Sequence, residues 1–242
     1  MSIALSVVIP CYNEGNNLKI LLESCRNAIG KRENIEIIIV DNGSSDLSLD
    51  ILKDILKDKK YAFVNVKKVE NNIGYGHGIL EGLAIAKGQI LSWTHADLQT
   101  DPLDVILAFE KHQIDLLDSS CIVKGNRKGR NIFDNIFTGS MALISSIFLK
   151  SFLWDINAQP KIFHRNFLLL LDKAPLDFSL DLYFLYIAKK SETTIHSYPV
   201  KFLERKFGEA KGGGTLSGKL KLIRRTLKYI IQLRKDVLSE KR

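Results

Sequence analysis

Trp93-Thr94-His95-Ala96-Asp97-Leu98-Gln99-Thr100-Asp101-Pro102 joins the end of one element to the start of the next. The run from Gln89 to Trp93 is apolar and strand-like, and Pro102 suits the first position of a helix, where a missing N–H costs nothing. Between them lies a cluster of oxygen and nitrogen ligands. Side chains at the carboxyl end of a parallel strand face the crevice where α/β sheets bind ligands. His95, Asp97 and Gln99 are spaced by two, so on an extended segment they share one face. An imidazole, a carboxylate and an amide placed so would hold a divalent metal against a diphosphate.

Working outward, short β-branched runs alternate with helical spacing. Leu5 to Ile9, Glu36 to Val40, Ala62 to Val66 and Ile90 to Trp93 read as strands. Asn16 to Ile29, Leu47 to Leu56, Gly78 to Ala86 and Leu103 to Lys111 read as helices. That alternation predicts an α/β fold, with a mostly parallel sheet and helices on both faces. Further on, Ile122 to Lys124 reads as a strand followed by a glycine-basic loop to Arg130. Phe133 to Trp154 reads as a long amphipathic segment, Thr194 to Leu203 as a strand and Leu216 to Leu238 as a basic amphipathic helix beyond the hinge Lys211 to Gly214.

The chain has 242 residues, 45% of them hydrophobic and 26% charged, as in a soluble globular protein. Three widely spaced cysteines suit a reducing compartment, and their spacing suggests no zinc motif. The N-terminal apolar run lacks a basic region and is cut by Pro10, so it is not read as a signal peptide, and no apolar stretch is long enough to span a bilayer. These features predict a cytoplasmic protein. Residues 201–242 hold 13 Lys/Arg against 4 Asp/Glu, while residues 1–200 hold 22 against 23. The net charge of +8 therefore sits at the C-terminal end, where it implies an anionic partner or a solvated helix face.

Three further motifs bear on function. Pro10-Cys11-Tyr12-Asn13-Glu14 follows the first strand and reads either as a nucleotide cradle or as a plain loop capped by Asn13. Asp41-Asn42-Gly43-Ser44-Ser45-Asp46 ends the second strand. Asp41 is read there as an exposed carboxylate for a base or ribose, and Asp46 as a structural residue. Asn71-Asn72-Ile73-Gly74-Tyr75-Gly76-His77-Gly78 is a glycine-rich turn whose backbone would approach a phosphate or ribose, with His77 a packing or surface residue. Its spacing matches neither the Rossmann fingerprint nor the Walker loop.

In their fixed order these pieces resemble the family 2 glycosyltransferases of the GT-A fold, over roughly residues 5–211. The HADLQTDP stretch and the late Arg205 to Lys211 element resemble the branch of polyprenyl-phosphate sugar synthases, such as dolichol-phosphate mannosyltransferase. The resemblance implies a three-layer GT-A domain over residues 1–215, with a nucleotide-binding half (1–120) and an acceptor half (121–215), followed by a C-terminal helix (216–242). It implies an inverting, metal-dependent hexosyltransferase of cell-envelope biosynthesis acting on a nucleotide diphosphate sugar. Pro10, Tyr12, Glu14, Asp41 and Gly74 would line the nucleotide, and Asp97, with Gln99 and His95, would hold Mg²⁺ or Mn²⁺. Arg127, Arg205 and Lys211 would meet donor or acceptor phosphates, and Asp181 would stand near the acceptor.

Three residues depart from the family pattern. His95 replaces the first aspartate of the metal motif, which favours Mn²⁺ over Mg²⁺ and alters metal dependence. Asn42 replaces an aspartate, and Ala210 a serine. A lipid phosphate acceptor is already anionic and needs only cations, such as Arg127 and Arg130, whereas a saccharide hydroxyl needs a base, Asp181 or Asp101. The apolar residues from Met141 to Leu153 read more simply as packing than as a membrane face. The basic final helix suits either docking on the body or peripheral contact with the inner face of a membrane. Transfer to a cell-surface saccharide, or a GT-A-like domain that binds nucleotide sugar without turnover, stay open as alternatives. No nucleic-acid partner is expected, and the oligomeric state is left open.

Overall fold

The computed structural model describes residues 2–129, 132–203 and 216–239. Its strands are β1 (Leu5–Cys11), β2 (Ile35–Asn42), β3 (Val64–Val69), β4 (Ile90–Trp93), β5 (Cys121–Lys128), β6 (Lys161–His164) and β7 (Thr194–Lys201). They form one sheet in the order β3-β2-β1-β4-β6-β5-β7. The helices are α1 (Gly15–Ile29), α2 (Ser48–Ile55), α3 (Tyr75–Ile85), α4 (Pro102–Lys111), α5 (Ile132–Leu149), α6 (Leu180–Lys190) and α7 (Leu216–Ser239). All strand pairs are parallel except those made by β6, which runs antiparallel to both β4 and β5.

The pleat sends alternate side chains to opposite faces, and both faces are covered. Leu5, Val7 and Ile9 of β1 join Ile35, Ile37 and Ile39 of β2 under α1 and α4. Val8, Ile38 and Val40 face the other way, toward α3 and α6. This is the expected three-layer arrangement. Helix α3 lies close on the sheet because Gly82 has no side chain: a Cβ there would come within 2.4 Å of Val8 Cγ1. Helix α7 is docked on the second face, where Ile230 and Leu233 are buried in the core, and Arg234 Nη1 donates to Phe148 O at 3.1 Å.

Four readings of the sequence are corrected. The third strand begins at Val64 rather than Ala62, because Asp58 caps a 3₁₀ turn over Lys59–Tyr61. The segment read as a glycine-basic loop is strand as far as Lys128, paired with β7 from Cys121↔Thr194 to Lys128↔Lys201. Strand β6 was not anticipated, since four residues opening on a lysine carry no period. Nor was α6, whose residues Leu180 to Tyr186 are all buried, so it has no polar face to reveal it.

Asp104, in the first turn of α4, carries a pKa raised to about 6 by burial and then by the Asp101 carboxylate. The folded value lies above the unfolded one of about 3.9. The contribution is therefore present below about pH 4 and lost as pH rises through about 6. Asp104→Asn is expected to raise Tm by a few degrees at pH 7 and leave it near wild type at pH 4, in paired thermal melts.

Candidate active site

The site is built at a switch in strand order. The chain goes from β1 outward through β2 and β3, then returns to place β4 on the other side of β1. In such sheets the crevice opens beyond the carboxyl ends of the diverging strands. A cavity of about 790 Å³ lies there. Its walls include Pro10 at the end of β1, Tyr12 and Glu14 after it, His95, Asp97 and Gln99 after β4, and Arg127 on β5. Gly74, Asp181 and the α7 residues Ile223, Arg225 and Thr226 complete it.

The β4 loop presents its ligands by a route other than the expected one. It is a bend rather than an extended segment: Gln99 N donates to Asp97 Oδ1 at 3.1 Å, and Leu98 takes a left-handed φ of 59°. Leu98 buries its side chain in the core, so burial holds the bend that brings His95, Asp97 and Gln99 to one cavity. Asp97 is 9% exposed. Burial pushes the His95 imidazole below its ordinary pKa despite the nearby Asp97 and Asp181 carboxylates. The ring is therefore neutral at pH 7 and able to ligate a metal. One carboxylate, one neutral imidazole and one amide fit a divalent cation whose remaining ligands come from a diphosphate, and the imidazole suits Mn²⁺ better than Mg²⁺.

Asp181 sits in a buried polar network. Its Oδ1 accepts from Trp93 Nε1 at 3.3 Å, Gln159 Nε2 at 2.9 Å and Lys161 Nζ at 3.1 Å. Lys161 is fully buried, brought beside Trp93 by the β4–β6 register. Its ammonium also donates to Ile156 O at 2.9 Å and Ala158 O at 2.6 Å, which uses all three protons. Burial holds Lys161 below the usual lysine range, and neighbouring Lys124 is pushed down to about 8 by burial and then by Lys161. Arg127 meets the cavity as half of an ion pair: its Nε donates to Asp155 Oδ1 and its backbone N to Asp155 Oδ2, both at 2.8 Å. Although burial opposes it, these bonds and the Arg127 charge hold the Asp155 carboxyl below its ordinary pKa.

Asp41 is not where the sequence reading put it. It is buried, accepts from Ser44 N at 3.2 Å and is not among the cavity residues, whereas Asn42 is. The turn needs that carboxylate to satisfy a backbone N–H. Asp46 serves the same loop by accepting from Ser48 N, as expected of a structural residue. Asn13 bridges to that loop, with Ser45 N donating to its Oδ1 at 2.8 Å, rather than capping α1. Gly74 borders the cavity, but its lack of a side chain accommodates protein: a Cβ would come within 2.2 Å of Leu176 O. Asp101 caps α4 through Leu103 N and does not line the cavity. Arg130, Arg205, Ala210 and Lys211 lie outside the described residues.

Tyr75 and Arg225 are among the cavity residues that the sequence reading did not single out. Tyr75 stacks on Phe178 with centroids 4.9 Å apart and packs on His95 at 5.6 Å. It lies within the glycine-rich motif, so that signal was at hand. Arg225 is held over Phe178 at 5.1 Å, with Nε 3.4 Å from Asp177 Oδ2 and a buried Nη2 that has no partner. Nothing in a run of cations marks it from its neighbours. Asn42 Oδ1 and Gln159 Oε1, on residues of the same cavity, are likewise buried and unpartnered. Orphaned polar atoms on one cavity wall point to a polar ligand.

A family model described as Glycosyl transferase family 2 matches residues 6–164. The chain belongs to that family. Among family 2 relatives, an undecaprenyl-phosphate 4-deoxy-4-formamido-L-arabinose transferase of Pectobacterium carotovorum is 38% identical over 105 residues, 42% of this chain and 31% of its own length. A dodecaprenyl-phosphate galacturonate synthase of Rhizobium johnstonii is 28% identical over 120 residues, 48% of this chain and 35% of its own. The matches thus span about a third of the length of these relatives. Among solved structures, a glucosyl-3-phosphoglycerate synthase of Mycobacterium tuberculosis in complex with UDP superposes with a TM-score of 0.71 at 16% identity, covering 96% of this chain and 80% of that one. A mannosyltransferase of Pyrobaculum calidifontis in complex with GDP-Man and Mn²⁺ gives 0.65 at 18%, covering 86% and 59%. These neighbours establish that the family 2 chain has the GT-A fold, as its sequence implied.

Proposed function

We propose that the chain is an inverting glycosyltransferase that moves a sugar from a nucleotide diphosphate sugar to a polyprenyl phosphate. The observation that carries this reading is the convergence, on one cavity at the strand switch point, of the Asp97 carboxylate and the partly unpartnered Arg225 guanidinium. Tyr12 and Glu14 would line the nucleotide, and Asp97, His95 and Gln99 would hold Mg²⁺ or Mn²⁺ at the diphosphate. When bound, the cation acts as a Lewis acid that stabilises the leaving diphosphate. The protein's own share is to fix the donor and acceptor in line and to surround developing charge with preset cations and dipoles.

The acceptor reading rests on the partners of Asp181. Its Oδ1 is already engaged by the Lys161 ammonium, Gln159 Nε2 and Trp93 Nε1, so this oxygen is committed to the protein rather than to an acceptor hydroxyl. A hydroxyl acceptor needs a base, whereas a lipid phosphate needs none. The names of the relatives point the same way, being transferases and synthases of undecaprenyl and dodecaprenyl phosphate. Asp155 holds Arg127 through both its guanidinium and its backbone N, whereas Arg225, paired with Asp177 through Nε, keeps an unpartnered Nη2, so Arg225 is the better phosphate partner.

Membrane contact is part of the proposal. Ala142, Leu149 and Leu153 are buried, so one side of the α5 region packs as expected. Ile147 (63%), Phe152 (74%) and Trp154 stay exposed, and Arg224 and Lys228 lie exposed on the docked α7. Exposed apolar side chains in the α5 region, and cations on the α7 helix packed against α5, suit the headgroup region of an anionic leaflet, the inner face of a cell-envelope membrane. Among the described residues, no helix is long and apolar enough to cross one.

The test is a transfer assay from UDP-, GDP- and dTDP-sugars, with Mg²⁺ or Mn²⁺, to undecaprenyl phosphate in vesicles and to soluble saccharides. Product on the lipid is expected; transfer to saccharides alone, or donor binding with no transfer to either, contradicts the proposal. In the same assay Arg225→Ala is expected to lower kcat/KM about 10- to 100-fold, the loss of one charge-assisted phosphate bond of about 1.5–3 kcal/mol.

A further inference from the structure

Away from the cavity, three ligating side chains meet where α4 ends against the edge strand. His112 follows the last turn of α4, Asp115 opens the 3₁₀ turn Asp115–Leu117, and His196 is the third residue of β7. None of the three lines the donor cavity. One ligand atom from each lies within 4.8 Å of the other two. Among the described residues this is the one such convergence of three or more His, Cys, Asp or Glu side chains.

We propose that His112, Asp115 and His196 form a second, structural cation site for Zn²⁺ or a similar transition metal. His112 Nδ1 is 3.0 Å and His196 Nε2 is 3.7 Å from the same oxygen, Asp115 Oδ2. Ligands about 2.0–2.2 Å from a tetrahedral zinc stand roughly 3.3–3.5 Å from one another. The two observed spacings bracket that range. A small turn of the half-buried His196 ring closes the rest. Two nitrogens and one carboxylate oxygen form a donor set that zinc accepts, with water at the fourth position.

The surroundings favour ligation over simple packing. The two imidazoles stack with centroids 4.7 Å apart and planes 29° from parallel, which sets both rings beside the one Asp115 carboxylate. His112 is only 11% exposed, and its Nε2 is buried without a partner. Burial fixes the ring with Nδ1 turned to Asp115, the nitrogen that ligation would use. The backbone is preset as well, because Leu116 N donates to His112 O at 2.9 Å and so fixes the turn that carries Asp115.

A cation here would staple the end of α4 to β7, two elements that adjoin loops lining the donor site. Helix α4 begins just after the Asp97 bend, and β7 leads to Leu203, whose N donates to Gln99 O at 2.8 Å. The site rests on different residues from the proposed transfer reaction and can be tested apart from it.

The experiment titrates Zn²⁺ into chelator-treated full-length protein carrying Asp97→Ala, so that the donor site does not compete. Calorimetry is expected to show one equivalent of zinc, with Tm rising on addition. Asp115→Asn alters an exposed side chain and His196→Gln a half-buried one, and each is expected to weaken binding at least tenfold and abolish the Tm rise, with the circular dichroism unchanged. Absence of saturable binding at one equivalent, or equal affinity in both variants and the parent, overturns the proposal.

Discussion

Asp97→Ala lowers kcat/KM for sugar transfer by about three orders of magnitude or more, while Tm stays within a few degrees of wild type. The size follows from what the carboxylate does. It is the one anionic side chain of the proposed metal set, and removing a group that stabilises charge in the transition state typically costs a factor of about 10² to 10³ even where no metal is lost. Stability changes little because Asp97 stands beyond the strand rather than within the core. Its bond from Gln99 N contributes about 1 kcal/mol, which for a chain of this size corresponds to roughly 2–4 °C. Steady-state assays beside thermal melts check both halves. An active Asp97→Ala enzyme rejects the site, and a variant that is inactive because unfolded rejects the claim that the residue is functional.

Lys161→Met carries the largest expected loss of stability, about 3–5 kcal/mol, or roughly 10 °C in Tm. The methionine fills most of the volume but leaves the Asp181 carboxylate buried without its cation. A buried charge stripped of its partner is far costlier than the pair is beneficial. Lys161→Met with Asp181→Leu is therefore expected to recover part of the loss, since the uncompensated charge is gone while Trp93 Nε1, Gln159 Nε2 and the Ile156 and Ala158 carbonyls stay without these partners. Urea denaturation of the two single variants and the double variant closes the cycle. Additive losses would show that the pair is not the coupled unit described.

How much of this was legible in the sequence depends on which force set each element. The unbroken apolar strands β1, β2 and β4, and the amphipathic helices between them, announce themselves because a buried strand and a half-buried helix have periods. The polar bend after Trp93 was equally plain as a ligand cluster, though not its shape. The left-handed Leu98 answers to core packing, which no local pattern encodes. Helix α6 was hidden because burial on every side erases the amphipathic signature. Strand β6 depends on partners β4 and β5 that lie far from it in the chain. Asp41 was misplaced for a related reason: whether a strand-end carboxylate faces ligand or a backbone N–H is decided by the turn that follows. The Lys161–Asp181 pair joins β6 to α6 across 20 positions, and neither residue signals the other in sequence.

The central claim is that a divalent cation, held through Asp97, grips the donor diphosphate in this cavity. Its most direct measurement is anomalous scattering from crystals grown with Mn²⁺ and UDP, GDP or dTDP in turn. A manganese peak at ligand distance from an Asp97 carboxylate oxygen, roughly 2.0–2.2 Å, with the diphosphate as its neighbour, is the predicted result. A nucleotide bound in the cavity with the manganese peak away from Asp97 would contradict it.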